Sequence, residues 1–234
     1  MPPVPLAIHS VGNTSQAEAA VPLSAPFDWL VYADATLAGL SVLIPIPLVD
    51  MAFEAYFRRR MIQTIAKRSG QPLAPAVRRL LQQEADGNVW RGCLLWPMRL
   101  LGEFLVRLSR KILYFLTVKK AIDSLNYYWQ RAFLINYMAQ QGYLTQENAA
   151  IAVAALEMTL ATTGRSPLQS LAREIVYSPF RLWRTLWRAR AERADPLLTQ
   201  ISARLSHRWG NFDSFFANLA QHYKQVYRQQ QTQE

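Results

Sequence analysis

The stretch "SVLIPIPLVD", residues 41–50, decides how the first part of this chain folds. Two prolines interrupt an apolar run that ends at Asp50, eight residues before the triplet Arg58, Arg59 and Arg60. A residue that precedes proline is driven out of the α region, so a helix arriving from the amino-terminal side must stop by Ile44. Pro47 can occupy the first turn of a second helix, where its missing N–H is not needed. The expected unit is helix, sharp bend, helix, with the bend carried by Pro45, Pro47 and Asp50. A simple transmembrane helix is disfavoured, because only fifteen uncharged residues separate Asp34 from Asp50 and a span needs about 20. Composition alone leaves open whether this apolar hairpin is buried in protein or dips into lipid.

Working outward, the first helix should start near Phe27, with Ser24 or Asp28 as its cap, and run through "DWLVYADATLAGLSVLI". The second, "LVDMAFEAYFRRRMIQTIAKRSG", should end at Gly70, with Pro72 and Pro75 behind it. Residues 1–24 are rich in Pro, Ala and Ser without an apolar period and read as a disordered tail. The "PPVPLAIHS" after Met1 lacks the positive start and continuous apolar core of a secretory signal, so export is not expected.

The hairpin carries small residues, an Ile-Pro-x-Pro-x-x-Asp turn, and a Met-Ile-x-x-Ile-Ala segment leading to glycine. The residues are Ala38, Gly39, Ile44, Pro45, Pro47, Asp50, Met61, Ile62, Ile65, Ala66 and Gly70. This pattern, over about residues 30–70, resembles the hydrophobic helical domain of unknown function attached to some bacterial dynamin-like and Era-like GTPases. The resemblance implies membrane association in a bacterial cytoplasm, peripheral to the inner membrane. No G-x-x-x-x-G-K-[ST] loop exists in the chain, so nucleotide hydrolysis does not come with it.

Glycine is scarce and most prolines fall between apolar segments, which favours an all-α helical bundle. "APAVRRLLQQEADG" reads as a short helix ended by Gly87. Beyond it, Leu94, Met98, Leu101, Leu105, Leu108, Ile112 and Phe115 form one apolar stripe. Arg99, Glu103, Arg107, Arg110 and Lys111 fall mostly opposite, making an amphipathic basic helix that suits a bundle or an interface equally. A further helix through "VKKAIDSLNYYWQRAFLINYMAQQ" reaches Gly142. Thr145, Ser166 and Ser178 offer helix caps, the latter two followed by proline, and Asp195-Pro196 opens another helix. Phe212, Phe216, Leu219, Tyr223 and Val226 stripe the last helix. The expected organisation is a tail (1–24), one α-helical domain (25–228) made of the apolar hairpin (27–70) and a basic helical body (73–228), and a frayed polar tail (229–234).

The formal net charge of +10 is unevenly spread. Residues 1–57 hold no Lys or Arg and five acids, Glu18, Asp28, Asp34, Asp50 and Glu54. Residues 58–234 therefore carry all 26 basic residues against eleven acids, a net +15. Such asymmetry points to a polyanion, either nucleic acid or the anionic face of a membrane. The sharpest stretch is "FRLWRTLWRARAER", residues 180–193, where Trp183 and Trp187 share a helical face with Phe180 while Arg181, Arg184, Arg188 and Arg190 occupy the rest. Rings at an apolar boundary with guanidinium groups on phosphate suit a membrane surface; stacking and phosphate contacts would suit RNA; a core stripe is the structural alternative. Arg58, Arg59, Arg60, Arg107, Arg110 and Lys111 form a secondary basic patch in this reading.

No catalytic pattern occurs. His9, His207 and His222 lie in separate segments, and H-E-x-x-H, G-x-S-x-G and paired C-x-x-C motifs are missing. Glu84 and Asp86 read as a solvated pair at a helix end, and the single Cys93 as a small core residue in a reducing compartment. The expectation is a non-enzymatic membrane-associated or adaptor protein at the cytoplasmic face of a bacterial membrane. It would need no cofactor or metal and would contact an anionic membrane surface or a partner protein. A basic helical RNA- or DNA-binding protein is the alternative, and an enzyme without a linear signature the third.

Overall fold

Asp28 starts the first helix. It is extended, and its carboxylate accepts from the Leu30 N–H at 3.0 Å, satisfying one of the donors a helix start leaves open. Helix α1 (Trp29–Leu40) tightens into a 3-10 turn over Ser41–Leu43 and stops at Ile44, whose φ of −76° and ψ of 115° are the extended values a following proline imposes. In this computed structural model the described residues are 28–44, 49–70, 72–83, 110–164, 166–177 and 206–233, with the backbone alone at 83, 110–114 and 233. Pro45 and Pro47 lie outside them, as do the expected tail 1–24 and the segments 84–109 and 178–205. Asp50 sits in the first turn of α2 (Val49–Arg68), where its carboxylate accepts from the Met51 N–H at 2.8 Å and its charge suits the positive end of the helix. Behind α2, Gly70 adopts φ +67°, the left-handed conformation expected of a glycine cap, and Pro75 begins α3 (Pro75–Gln83).

Helix α4 (Arg110–Gln140) is 31 residues long, about 46 Å at ~1.5 Å per residue. It is unbroken from Arg110, since neither glycine nor proline interrupts it, and Gly142 follows at φ +73°. Then come α5 (Ala149–Thr162), α6 (Leu168–Tyr177) and α7 (Asp213–Gln233), the last entered through a 3-10 turn at Gly210–Phe212. The described residues thus form an all-helical bundle, with no strand among them. Helices α1, α2, α5, α6 and α7 all pack on α4. Every residue from Tyr128 to Ile135 is consequently buried, as expected of a helix enclosed on all sides.

Helix α1 answers the question its composition left open: Val31, Tyr32 and all residues from Asp34 to Leu40 are buried, between α2 and α4. Among the described residues no helix is long and apolar enough to cross a membrane. The approach of α1 to α4 depends on Gly39, where an added Cβ would stand 2.7 Å from the Leu125 Cα and 2.9 Å from its backbone nitrogen. Backbone cannot step aside as a flexible side chain can. Gly39→Ala should therefore lower stability by about 1–3 kcal/mol, although alanine is the better helix former by about 1 kcal/mol. Urea denaturation checks this; an unchanged or raised midpoint would show that the two helices separate freely.

Ring packing joins the two ends of the chain. Trp209 lies 4.2 Å from Tyr32, 5.7 Å from Trp129 and 5.2 Å from Phe216 between ring centroids, so it bridges α1, α4 and α7. Further along, Tyr137, Tyr143, Tyr223 and Tyr227 make mutual ring contacts, and the Tyr223 hydroxyl donates to the Ala152 carbonyl at 3.2 Å. Phe216, Leu219, Tyr223 and Val226 are buried as the stripe expected, with Phe212 half-buried ahead of them.

Two boundaries differ from expectation. Thr145 accepts from the Asn148 N–H at 3.4 Å, but this closes a turn, and α5 starts only at Ala149 with Asn148 in the cap position. Ser166, by contrast, caps as expected, its hydroxyl accepting from the Leu168 N–H at 3.2 Å. At the carboxyl end α7 continues to Gln233 through residues expected to fray. Bonds one turn apart accompany it, from the Thr232 hydroxyl to the Arg228 carbonyl at 2.9 Å and from Gln231 Nε2 to the Tyr227 hydroxyl at 3.2 Å.

Candidate functional site

The arginine triplet on α2 does not make a patch. Successive helical residues point about 100° apart, so three neighbours cannot share a face. Arg58 is 3% exposed and turned into the protein, Arg59 faces water, and Arg60 is half-buried with Nε 3.8 Å from Asp34 Oδ2. Of the other basic positions in that expected patch, Arg110 and Lys111 fall in the first turn of α4, described by backbone alone, and Arg107 lies outside the described residues. Arg181, Trp183, Arg184, Trp187, Arg188 and Arg190 also lie outside them.

The densest polar chemistry is instead buried where α2, α3, α4 and α5 meet, around Arg131, which is wholly inaccessible. Its Nη1 donates to the Tyr127 hydroxyl at 2.9 Å and to Glu157 on α5, and its Nη2 donates to the Leu81 carbonyl at 3.1 Å. Leu81 belongs to the last turn of α3, where carbonyls lack helical partners, so Arg131 caps α3 from inside the bundle. The guanidinium also lies over the Tyr127 ring, 5.9 Å from its centroid. Next to it, the Tyr128 hydroxyl donates to Glu54 on α2. Asp34 is held at the α1–α2 contact, accepting from the Thr64 hydroxyl at 3.2 Å.

Burial opposes the charge on Arg131, but the neighbouring Tyr127 and Glu157 outweigh it and keep the guanidinium ionised. Burial, then the charge of Glu54, pushes Tyr128 far above the ordinary phenol range, so its hydroxyl remains a donor. These are the properties of a clamp between helices rather than of groups that exchange protons near neutrality. Among the described residues no three His, Cys, Asp or Glu side chains are grouped to hold a metal. A signal for the clamp exists in the sequence: Arg131 is the lone charge between Asp123 and Glu147, Glu157 the lone charge between Glu147 and Arg165, and their signs are opposite.

The phenols also set an alkaline limit on stability. Burial raises Tyr32, Tyr128 and Tyr223 well above the usual 10.0. Above about pH 10 the unfolded chain loses these protons while the folded protein keeps them, so stability falls as pH rises, by about 1.4 kcal/mol per pH unit for each such tyrosine. Denaturation midpoints should drop steeply beyond pH 10; a flat profile there would contradict the burial of these hydroxyls.

On the surface, the two signs of charge are used differently. Asp28 pairs with Arg68 at 3.2 Å, Glu174 with Arg208, Glu157 with Arg131, and Asp34 and Glu54 are engaged as above. Asp123, Glu147 and Asp213 are the described acids exposed outside these pairings. Arg59, Lys67, Arg79, Lys119, Lys120, Arg173 and Arg228 are all exposed. Outside these pairings the described exposed side chains are therefore mainly cationic, seven basic against three acidic. The chain matches no protein-family model, no curated protein and no solved structure.

Proposed function

We propose that this protein is a non-enzymatic helical protein that binds the anionic surface of a membrane, peripherally and from the cytoplasmic side of a bacterial inner membrane, as an adaptor or attachment factor. The observation that carries the reading is the balance of exposed charge: outside the ion pairs named above, seven described basic side chains face water against three acidic ones. Each exposed lysine or arginine that comes near an anionic bilayer contributes about 1 kcal/mol of attraction, and those on the docked side add to reversible attachment. The Arg- and Trp-rich segment 180–193 supports the same conclusion, as does the membrane association implied by the resemblance of residues 30–70 to the helical domain of unknown function attached to some bacterial GTPases. Fractionation of cells tests it. The protein should pellet with membranes, be released by high salt, and stay bound after nuclease treatment. Retention that nuclease abolishes would instead assign the basic surface to nucleic acid, and a wholly soluble protein would overturn the proposal.

A further inference from the structure

Phe115 is 62% exposed and Leu116 is 51% exposed, side by side on α4, and Val118 is the first buried residue after them. On the same arc, one turn further along, Lys119 and Lys120 are exposed, followed by Asp123. At about 100° per residue these five positions fit within roughly 140° of the helix circumference. The arc is apolar at its outer end, cationic next and acidic last. Phe115 closes the apolar stripe that begins at Leu94 in the sequence, yet among the described residues it is one of the exposed large hydrophobic side chains.

We propose that this end of α4 is the element that enters the lipid surface, placing Phe115 and Leu116 at the boundary between headgroups and acyl chains while Lys119 and Lys120 engage anionic headgroups. The inference rests on the membrane reading above and assigns its point of contact. The occupant follows from charge and spacing. Lys119 and Lys120 stand on the same exposed arc as Phe115 and Leu116, so a surface that takes up the apolar pair must offer anionic groups beside it, as a headgroup layer does. A purely apolar partner groove would leave both lysines against an uncharged wall.

The test is flotation of the full chain with vesicles of phosphatidylcholine alone and of phosphatidylcholine mixed with phosphatidylglycerol. The double variant Phe115→Ser/Leu116→Ser should lose about tenfold or more of its partitioning onto the mixed vesicles. Lys119→Gln/Lys120→Gln should lose about fivefold per lysine at low salt, and only on the anionic vesicles. All four side chains are exposed, so helical content and melting temperature should hold. A Leu116→Cys/Cys93→Ser variant carrying an environment-sensitive dye gives a second readout that does not depend on the serine variants folding. Its emission should shift to the blue on the mixed vesicles. If the wild-type chain floats but both double variants float equally well and the dye does not shift, the inference is overturned and the membrane reading stands. If the wild-type chain fails to float at all, the membrane reading itself falls. Self-association that Phe115→Ser/Leu116→Ser abolishes, with flotation unchanged, would assign the apolar pair to a second copy and overturn the inference.

Discussion

Replacing Arg131 with Met lowers stability by about 3 kcal/mol or more, toward the lower end of what breaking a buried ion pair costs, because Glu157 keeps 31% of its side chain in contact with water. Methionine fills most of the volume but donates nothing, so the Tyr127 hydroxyl, the Leu81 carbonyl and Glu157 each lose a donor inside or at the edge of the core. Domains are stable by only about 5–15 kcal/mol, so this is a large share of the total. Helix α3 should loosen first, since the Leu81 contact joins it to α4. Amide exchange over residues 75–83 should therefore quicken more than global stability falls. Arg131→Met combined with Glu157→Met should recover part of the loss, as the stranded carboxylate is gone. A single-variant loss under about 1 kcal/mol would mean that the four helices are held by apolar packing and that the cluster is incidental.

Trp129→Ala carries a cost of similar size, about 3–5 kcal/mol, for a different reason. Trp129 is 1% exposed; its indole N–H donates to Thr36 Oγ1 at 2.9 Å, and its ring meets Trp209 edge-on. Thr36 in turn donates to the Tyr32 carbonyl at 2.6 Å, so one side chain ties α4 to α1 and, through Trp209, to the approach to α7. Alanine opens a cavity and removes the donor together. Trp129→Phe keeps most of the packing and loses only the donor, and should cost about 1–2 kcal/mol. Near-ultraviolet circular dichroism should lose the signal of the paired indoles in both variants, while denaturation midpoints separate them. Equal midpoints for the two would contradict the cavity argument.

What the sequence made legible was local. Ile44 is extended because Pro45 follows it, Gly70 and Gly142 turn left-handed because they lack a side chain, and Ser166 caps because its hydroxyl reaches Leu168 N–H. The stripe from Phe216 to Val226 is legible for the same reason, since 3.6-residue periodicity is set by neighbours in the chain. Pairings across the bundle were not. Arg131 and Leu81 are 50 residues apart, and Arg131 and Glu157 are 26 apart, so no window of sequence joins them. The arginine triplet shows the converse error: adjacency in sequence was read as a shared surface, and helical geometry disperses it, sending Arg58 inward. The same geometry places Phe115 on an exposed arc beside Lys119, although its periodic stripe is equally that of a core helix.

The measurement that bears most directly on the account is flotation of the wild-type chain with anionic and neutral vesicles at rising salt, with RNA added as a competitor. Binding should occur to the anionic vesicles alone, fall steadily as salt screens the exposed basic residues, and be little affected by RNA. Equal affinity for neutral and anionic vesicles, or binding to RNA tighter than to either, would contradict it.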